Sequence, residues 1–436
     1  MKYYSTSKQV TGADLKTAVV KGLAEDKGLF MPDEIRPLPQ AFFDTIDTLT
    51  FQEIAYNVAQ AFFGEDVEPA ALKQIVYDTL NFDVPLVHVN NNIYSLELFH
   101  GPTLAFKDVG GRFMSRLLGY FVQKQEKEQV NVLVATSGDT GSAVANGFLG
   151  VDGIHVYVLY PKGLVSPIQE CQFTTLGKNI TALEVNGTFD DCQRLVKSAF
   201  MDEELNSRMK LTSANSINVA RFLPQSFYYF YAYAQLKKIN PDKAGNIVIS
   251  VPSGNFGNIT AGLFAKKMGL PIKHFIAANN RNDVFLEYLQ TGEYNPRPSI
   301  ATIANAMDVG DPSNFARILD LYGNSHADIS KEISGVSYTD EQIAETLKRC
   351  YEKTGYLLDP HGACGYQALS DLLKADETGI FLETAHPAKF KDTVENILGE
   401  SIDIPQKLQE FMKGEKQSLP MEKDFDSFKN YLITRI

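Results

Sequence analysis

One lysine stands in a segment that could make it reactive. In HGPTLAFKDVGGRFM, Lys107 follows Leu104, Ala105 and Phe106 and precedes Asp108. An amine drawn out of water loses preference for its charged form, and the neutral amine is the nucleophile that Schiff-base chemistry requires. The same residues also describe a surface lysine that lays its stem on apolar neighbours and pairs with a carboxylate. The segment alone leaves both readings standing.

Two glycine loops offer binding chemistry. SGNFGN, residues 253–258, follows the β-branched run NIVISVP and opens the helical pattern GNITAGLFAKKMG. A strand-to-helix turn of this kind gathers backbone N–H groups and the positive end of a helix dipole around one point, which suits a phosphate. A plain tight turn accounts for the same glycines. The loop is not GxGxxG and no Walker lysine follows it, so a dinucleotide or P-loop reading is poor. TSGDTG, residues 136–141, has the same setting after VNVLVA and adds hydroxyls and one carboxylate. Ser137 and Thr140 could hold a substrate carboxylate. Read alone, the loop favours simple N-capping by Ser137, Asp139 or Thr140.

Other chemistries find no support. The histidines at 88, 100, 155, 274, 326, 361 and 386 lack metal-ligand spacing, and the GxSxG nucleophile elbow is missing. His100 and His386 fall inside the segments quoted below, with a satisfied structural histidine the simpler reading of each. Cys171, Cys192, Cys350 and Cys364 are widely spaced and form no CxxC pair, which argues against zinc and a dense disulfide framework. No metal is expected. A net charge of −12 without a basic run excludes a nucleic-acid footprint, so an anionic ligand needs a locally positive pocket. The opening MKYYSTSKQV is polar and no apolar stretch has membrane-spanning length. A cytoplasmic protein without membrane or nucleic-acid partners is expected.

The elements that must position these residues follow from periodicity. DLKTAVVKGLAED and FQEIAYNVAQAFF read as helices, NFDVP as a turn. From about residue 94, buried-looking strands such as VNVLVA, HVYVLYP, NIVISVP and KHFIAAN alternate with helical stretches, the signature of an α/β protein with parallel sheets. Its 436 residues exceed one ordinary core. The expected division is an N-terminal accessory domain over 1–92, a smaller α/β domain over 93–240 carrying the lysine segment and TSGDTG, and a larger one over 241–436 carrying SGNFGN. Ligands in such folds sit beyond the carboxyl ends of the strands.

The order of the segments carries more than any one of them. GLFMP, ELFHGPTLAFKD, TSGDTG, LTSANSINVARFLPQ, VPSGNFGNITAG, ATIANAMDVGDPSNF and TAHPAKF run through most of the chain. Together they resemble the fold-type-II pyridoxal-phosphate enzymes, and their wording is similar to that of the threonine synthase family. The resemblance implies pyridoxal 5'-phosphate held by Lys107 as a Schiff base, its phosphate cradled by Gly254, Asn255, Phe256, Gly257 and Asn258, and its pyridine nitrogen hydrogen-bonded by Thr384. A neutral hydroxyl there tunes the cofactor away from transaminase-like behaviour. Asp139 departs from the wider fold type, in which asparagine is common at that place. Facing a phenolate-like oxygen, a carboxylate is repulsive unless one of the two is protonated, so its role stays open.

The implied reaction converts O-phospho-L-homoserine and water to L-threonine and phosphate, with Lys107 as the catalytic proton carrier. Ser137 and Thr140 are assigned to the substrate carboxylate. For the substrate phosphate the candidates are Lys162 and Arg221, followed by Arg112 and Lys389, each with a surface role as the alternative. A phospho-lyase stopping at a keto acid and a silent cofactor-binding paralogue are the competing functions.

Overall fold

The computed structural model describes residues 1–123 and 129–435. Two compact units emerge, each drawn from separated stretches of chain. One comprises Met1, Met31–Phe106 and Phe222–Asp403; the other Lys2–Phe30, Lys107–Arg221 and Ile404–Ile436.

The first unit is built on a six-stranded sheet in the order Ile333–Ser337, Ile272–Asn279, Ile247–Pro252, Thr378–Glu383, Ile93–Glu97, Leu86–Asn90. All neighbours are parallel except the edge strand Leu86–Asn90, which runs antiparallel to Ile93–Glu97. Ile247–Pro252 and Thr378–Glu383 are buried along their whole length, as apolar runs in a covered parallel sheet must be. The register sets Ser250 beside Phe381, so SGNFGN and TAHPAKF both leave from the carboxyl edge of adjacent strands. The helix Phe51–Phe63 coincides with FQEIAYNVAQAFF. Thr50 and Glu53 form a capping box at its start, and Phe51, Ile54, Ala55, Val58, Ala59 and Phe62 make its buried face.

The second unit carries a five-stranded, fully parallel sheet in the order Ser418–Glu422, Ile180–Asn186, Ile154–Pro161, Val130–Ala135, Lys210–Ser213. The expected helix over DLKTAVVKGLAED is shorter than its pattern: it runs Leu15–Lys21 and stops at Gly22, whose φ of 70° no longer continues a helix.

The linear division at 92/93 and 240/241 differs from these units. Residues 2–30 and 31–92 fall in different units, and Leu86–Asn90 is an integral edge of the six-stranded sheet. Ser418–Glu422 pairs in parallel with Ile180–Asn186, which returns 404–436 to the unit of TSGDTG. Pairings between strands so far apart in sequence leave no local signal. Among the described residues no helix is long and apolar enough to cross a membrane.

Candidate active site

In the first unit the SGNFGN loop leads into the helix Gly257–Lys267. No side chain caps that helix, and its N-cap is Phe256 at φ 61°, ψ 11°. A left-handed conformation in a bulky residue costs on the order of 1–2 kcal/mol. Burial holds it: Phe256 is 2 % exposed, its ring lies 4.7 Å from that of Phe285, and its carbonyl accepts from Thr260 Oγ1 at 2.6 Å. The loop glycine Gly254 serves a different need. A Cβ on it would stand 2.7 Å from Ala306 O and 3.0 Å from Met307 Cα, so glycine lets the 301–312 segment close against the loop.

That closure explains the form of ATIANAMDVGDPSNF. Asp308 accepts from Thr302 Oγ1 (2.7 Å) and Asn280 Nδ2 (2.8 Å), and burial raises its carboxyl to a pKa of about 6. Asn314 donates from N and Nδ2 to Asn255 O at 3.2 and 3.0 Å. Arg317, fully buried, donates to Asn314 Oδ1 at 2.6 Å and lies 4.0 Å from the centre of the Phe222 ring. Burial lowers its pKa to about 9. No motif or spacing marked Asn314, Arg317 or Asp308 in the sequence. Only the distinctive wording of the segment signalled that it had work to do.

The donors of this loop fit a phosphate. The first N–H groups of a helix have no intrahelical partners, and the N-terminus of Gly257–Lys267 is uncapped by any side chain. Asn258 Oδ1 accepts from Tyr228 and Tyr229 hydroxyls, both at 2.7 Å, which turns Nδ2 into the remaining donor. Nδ2 is buried without a hydrogen-bond partner among the described residues, a state that costs about 1–3 kcal/mol unless a ligand answers it.

Thr384 begins TAHPAKF and is 7 % exposed. Its carbonyl accepts from Phe106 N at 2.8 Å, Leu104 O accepts from His386 N at 3.1 Å, and Ala105 and Ala385 form an antiparallel bridge. Lys389 is fully buried and donates to Thr103 O at 2.8 Å, which makes it a strut of this pairing. Phe106 immediately precedes Lys107 in the chain. His386 accepts from Ala388 N at 3.1 Å, and burial, then the neighbouring His100, lowers its pKa to about 4. His100 contacts Glu97 Oε2 at 2.7 Å.

In the second unit Lys107 is the first residue of the helix Lys107–Gln123 and is half-buried. Asp108 behind it is 1 % exposed. A side chain on Gly110 would collide with Arg221 O, and one on Gly147 would meet Gly111 O at 2.9 Å. The VGG of the lysine segment thus lets its helix pack closely on the Arg221 backbone and on the helix Asp139–Phe148. Arg221 is 2 % exposed and donates to Ala214 O at 2.9 Å. Burial brings its pKa down to about 10, with the Asp108 carboxylate opposing the shift. Arg112 is half-buried on the same helix as Lys107, whereas Lys162 is exposed just past the strand Ile154–Pro161.

TSGDTG is capped differently from any of the three expected ways. Thr136 Oγ1 accepts from Gly138 N at 2.9 Å and Gly141 N at 2.7 Å, and the helix N-cap is Gly138 with no side-chain bond. The hydroxyl lies inside the loop, where it meets N–H groups that the half-buried Ser137 and Thr140 do not. Asp139 is 4 % exposed and accepts from Gln169 Nε2 at 2.9 Å.

The sequence pattern described as pyridoxal-phosphate dependent enzyme matches residues 79–380, that of the threonine synthase N terminus residues 2–80, and that of the threonine synthase C-terminal region residues 362–432. The chain is 46 % identical to threonine synthase of Haemophilus influenzae, covering 99 % of this chain and 100 % of the relative. The crystal structure of threonine synthase from Escherichia coli superposes with a TM-score of 0.93 at 42 % identity, covering 100 % of both chains. A structure of pyridoxal-phosphate-bound threonine synthase from Brucella melitensis gives 0.91 at 35 % identity, covering 99 % of this chain and 98 % of the other.

Proposed function

We propose that this chain, which belongs to the threonine synthase family of pyridoxal-phosphate dependent enzymes, converts O-phospho-L-homoserine and water to L-threonine and phosphate. The observation that supports the reading is the backbone tether of Phe106 to Thr384 within the first unit, which joins the wording ahead of Lys107 to TAHPAKF. Bound pyridoxal phosphate supplies a carbon that amines engage reversibly and a ring that accepts an electron pair. Gly254, Asn255, Phe256, Gly257 and Asn258 hold its phosphate through backbone N–H groups, the helix dipole and the remaining donor of Asn258. Thr384 donates or accepts one neutral hydrogen bond at the pyridine nitrogen and leaves that nitrogen without a counter-charge.

Lys107 is both the anchoring amine and the base that takes the Cα proton. A second proton leaves Cβ, phosphate departs from Cγ, a proton returns to Cγ, and water adds its hydroxyl at Cβ while a proton returns to Cα. Ser137 and Thr140, the half-buried hydroxyl residues of TSGDTG, orient the substrate carboxylate. Exposed Lys162 is suited to the incoming dianion. Buried Arg221 acts from behind, through Asp108 and the helix that begins at Lys107. With its four cysteines outside any disulfide, the protein suits a reducing compartment such as the cytoplasm.

Product analysis tests the reading. Purified protein with pyridoxal phosphate and O-phosphohomoserine should release threonine and phosphate in equal amounts, and homoserine at the same concentration should be turned over on the order of a thousandfold more slowly. Formation of a keto acid, or similar rates on both substrates, would sink it.

A further inference from the structure

Behind the strand that ends in Glu383 lies a buried group of side chains that the reaction above does not use. Glu383 and Asp359 are both 0 % exposed. Glu383 Oε1 accepts from Asp359 N at 2.6 Å, and Asp359 Oδ1 accepts from both His361 N and His361 Nδ1 at 2.6 Å. On the far side of the imidazole, Nε2 faces Ala306 N at 3.1 Å. A backbone N–H can only donate, so Nε2 is the acceptor and the ring hydrogen sits on Nδ1, directed at Asp359. The chain of contacts therefore runs from Glu383, the residue before Thr384, to Ala306, which closes over Gly254.

Two atoms of this chain are left over. Among the described residues, Glu383 Oε2 and Asp359 Oδ2 are both buried without a hydrogen-bond partner. Were both acids ionised, two neighbouring fully buried carboxylates would each keep an unmet oxygen, which is the costliest arrangement available to them. A single proton between them satisfies both oxygens. Burial first, and then the adjacent Asp359 carboxyl, push Glu383 well above the ordinary carboxylate range, with Glu97 adding to the effect. Gly362 keeps the space open, because a side chain there would fall on Glu383 Oε2.

We propose that Glu383, Asp359 and His361 form a relay holding one shared carboxyl proton, and that these positioning residues couple Thr384 to the phosphate loop through Ala306. The proposal rests on the reading of Thr384 and Gly254 as cofactor contacts. Its effect is that the two ends of the cofactor are gripped by one hydrogen-bonded body, so loosening His361 weakens the grip at the phosphate.

Glu383→Gln and His361→Asn test it. A glutamine amide reproduces the protonated acid: its oxygen still accepts from Asp359 N and its nitrogen still donates to Asp359 Oδ2. At neutral pH the holoenzyme should show an infrared C=O band of a protonated carboxyl that disappears in Glu383→Gln, while cofactor affinity in that variant stays within about twofold of the parent. His361→Asn should weaken cofactor binding about tenfold, the size of one buried donor left unmet. Absence of the band, or an affinity loss in Glu383→Gln as large as in His361→Asn, overturns the relay. If His361→Asn fails to fold, the infrared comparison decides. A parent protein that makes no threonine yet shows the band and the affinity pattern supports the relay and removes the function.

Discussion

SGNFGN and TSGDTG are both strand-to-helix glycine loops at the carboxyl edge of a parallel sheet, yet they manage their backbone donors in opposite ways. The first leaves the start of Gly257–Lys267 without a side-chain cap and holds Phe256 in a strained conformation to do so. The second fills its own loop, with Thr136 Oγ1 taking the N–H groups of Gly138 and Gly141. A loop that keeps its donors open is suited to an anion. One that closes them becomes a self-satisfied turn. The same glycine-rich wording therefore gives two arrangements of backbone donors, and the difference lies in one threonine side chain.

The largest effect that bears on this contrast belongs to Lys107, which lies outside both loops and sets the scale. Lys107→Ala should abolish turnover, by on the order of a thousandfold or more, and with it the absorbance of the lysine–cofactor Schiff base. A borohydride-reducible adduct surviving in that variant would sink the assignment. Next comes Gly257→Val, expected to weaken cofactor affinity about a hundredfold while shifting the apoprotein melting temperature far less. Equal affinity in variant and parent would make SGNFGN a plain turn and erase the contrast.

Smaller effects should appear on the other loop. Ser137→Ala combined with Thr140→Val should raise KM about tenfold and leave cofactor affinity unchanged; a cofactor loss instead would mean that TSGDTG is also an anion site. Thr136→Val should be invisible to cofactor titration and visible to heat. Two buried N–H groups lose their acceptor, a cost of about 1–3 kcal/mol, which calorimetry would read as a lowered melting temperature. An unchanged Tm would show that the loop donors are met in some other way.

How far the sequence carried depended on how local each cause is. FQEIAYNVAQAFF and VNVLVA map onto Phe51–Phe63 and Val130–Ala135 without adjustment, because cap, apolar spacing and β-branching all act within one element. The cap of TSGDTG was misplaced because four side chains could supply it and only the path of the loop selects Thr136. The contact-defined units were invisible because they depend on pairings such as Ser418–Glu422 with Ile180–Asn186. In the candidate site, Lys107, Thr384 and SGNFGN were legible as wording, whereas His361 was one scattered histidine among seven. Nothing short of the fold places it between Asp359 and Ala306.

The late strand Ser418–Glu422 has a consequence for how the protein is made. Ile180–Asn186 leaves the ribosome long before its parallel partner exists, and through that interval the edge of the growing five-stranded sheet presents unpaired N–H and C=O groups. The first unit, whose last segment ends at Asp403, has its whole sheet synthesised while the second still waits. Non-local pairing of this kind is slow to form. During synthesis the exposed edge of Ile180–Asn186 is thus the place where a nascent chain is most open to chaperone capture or to pairing with another copy of itself.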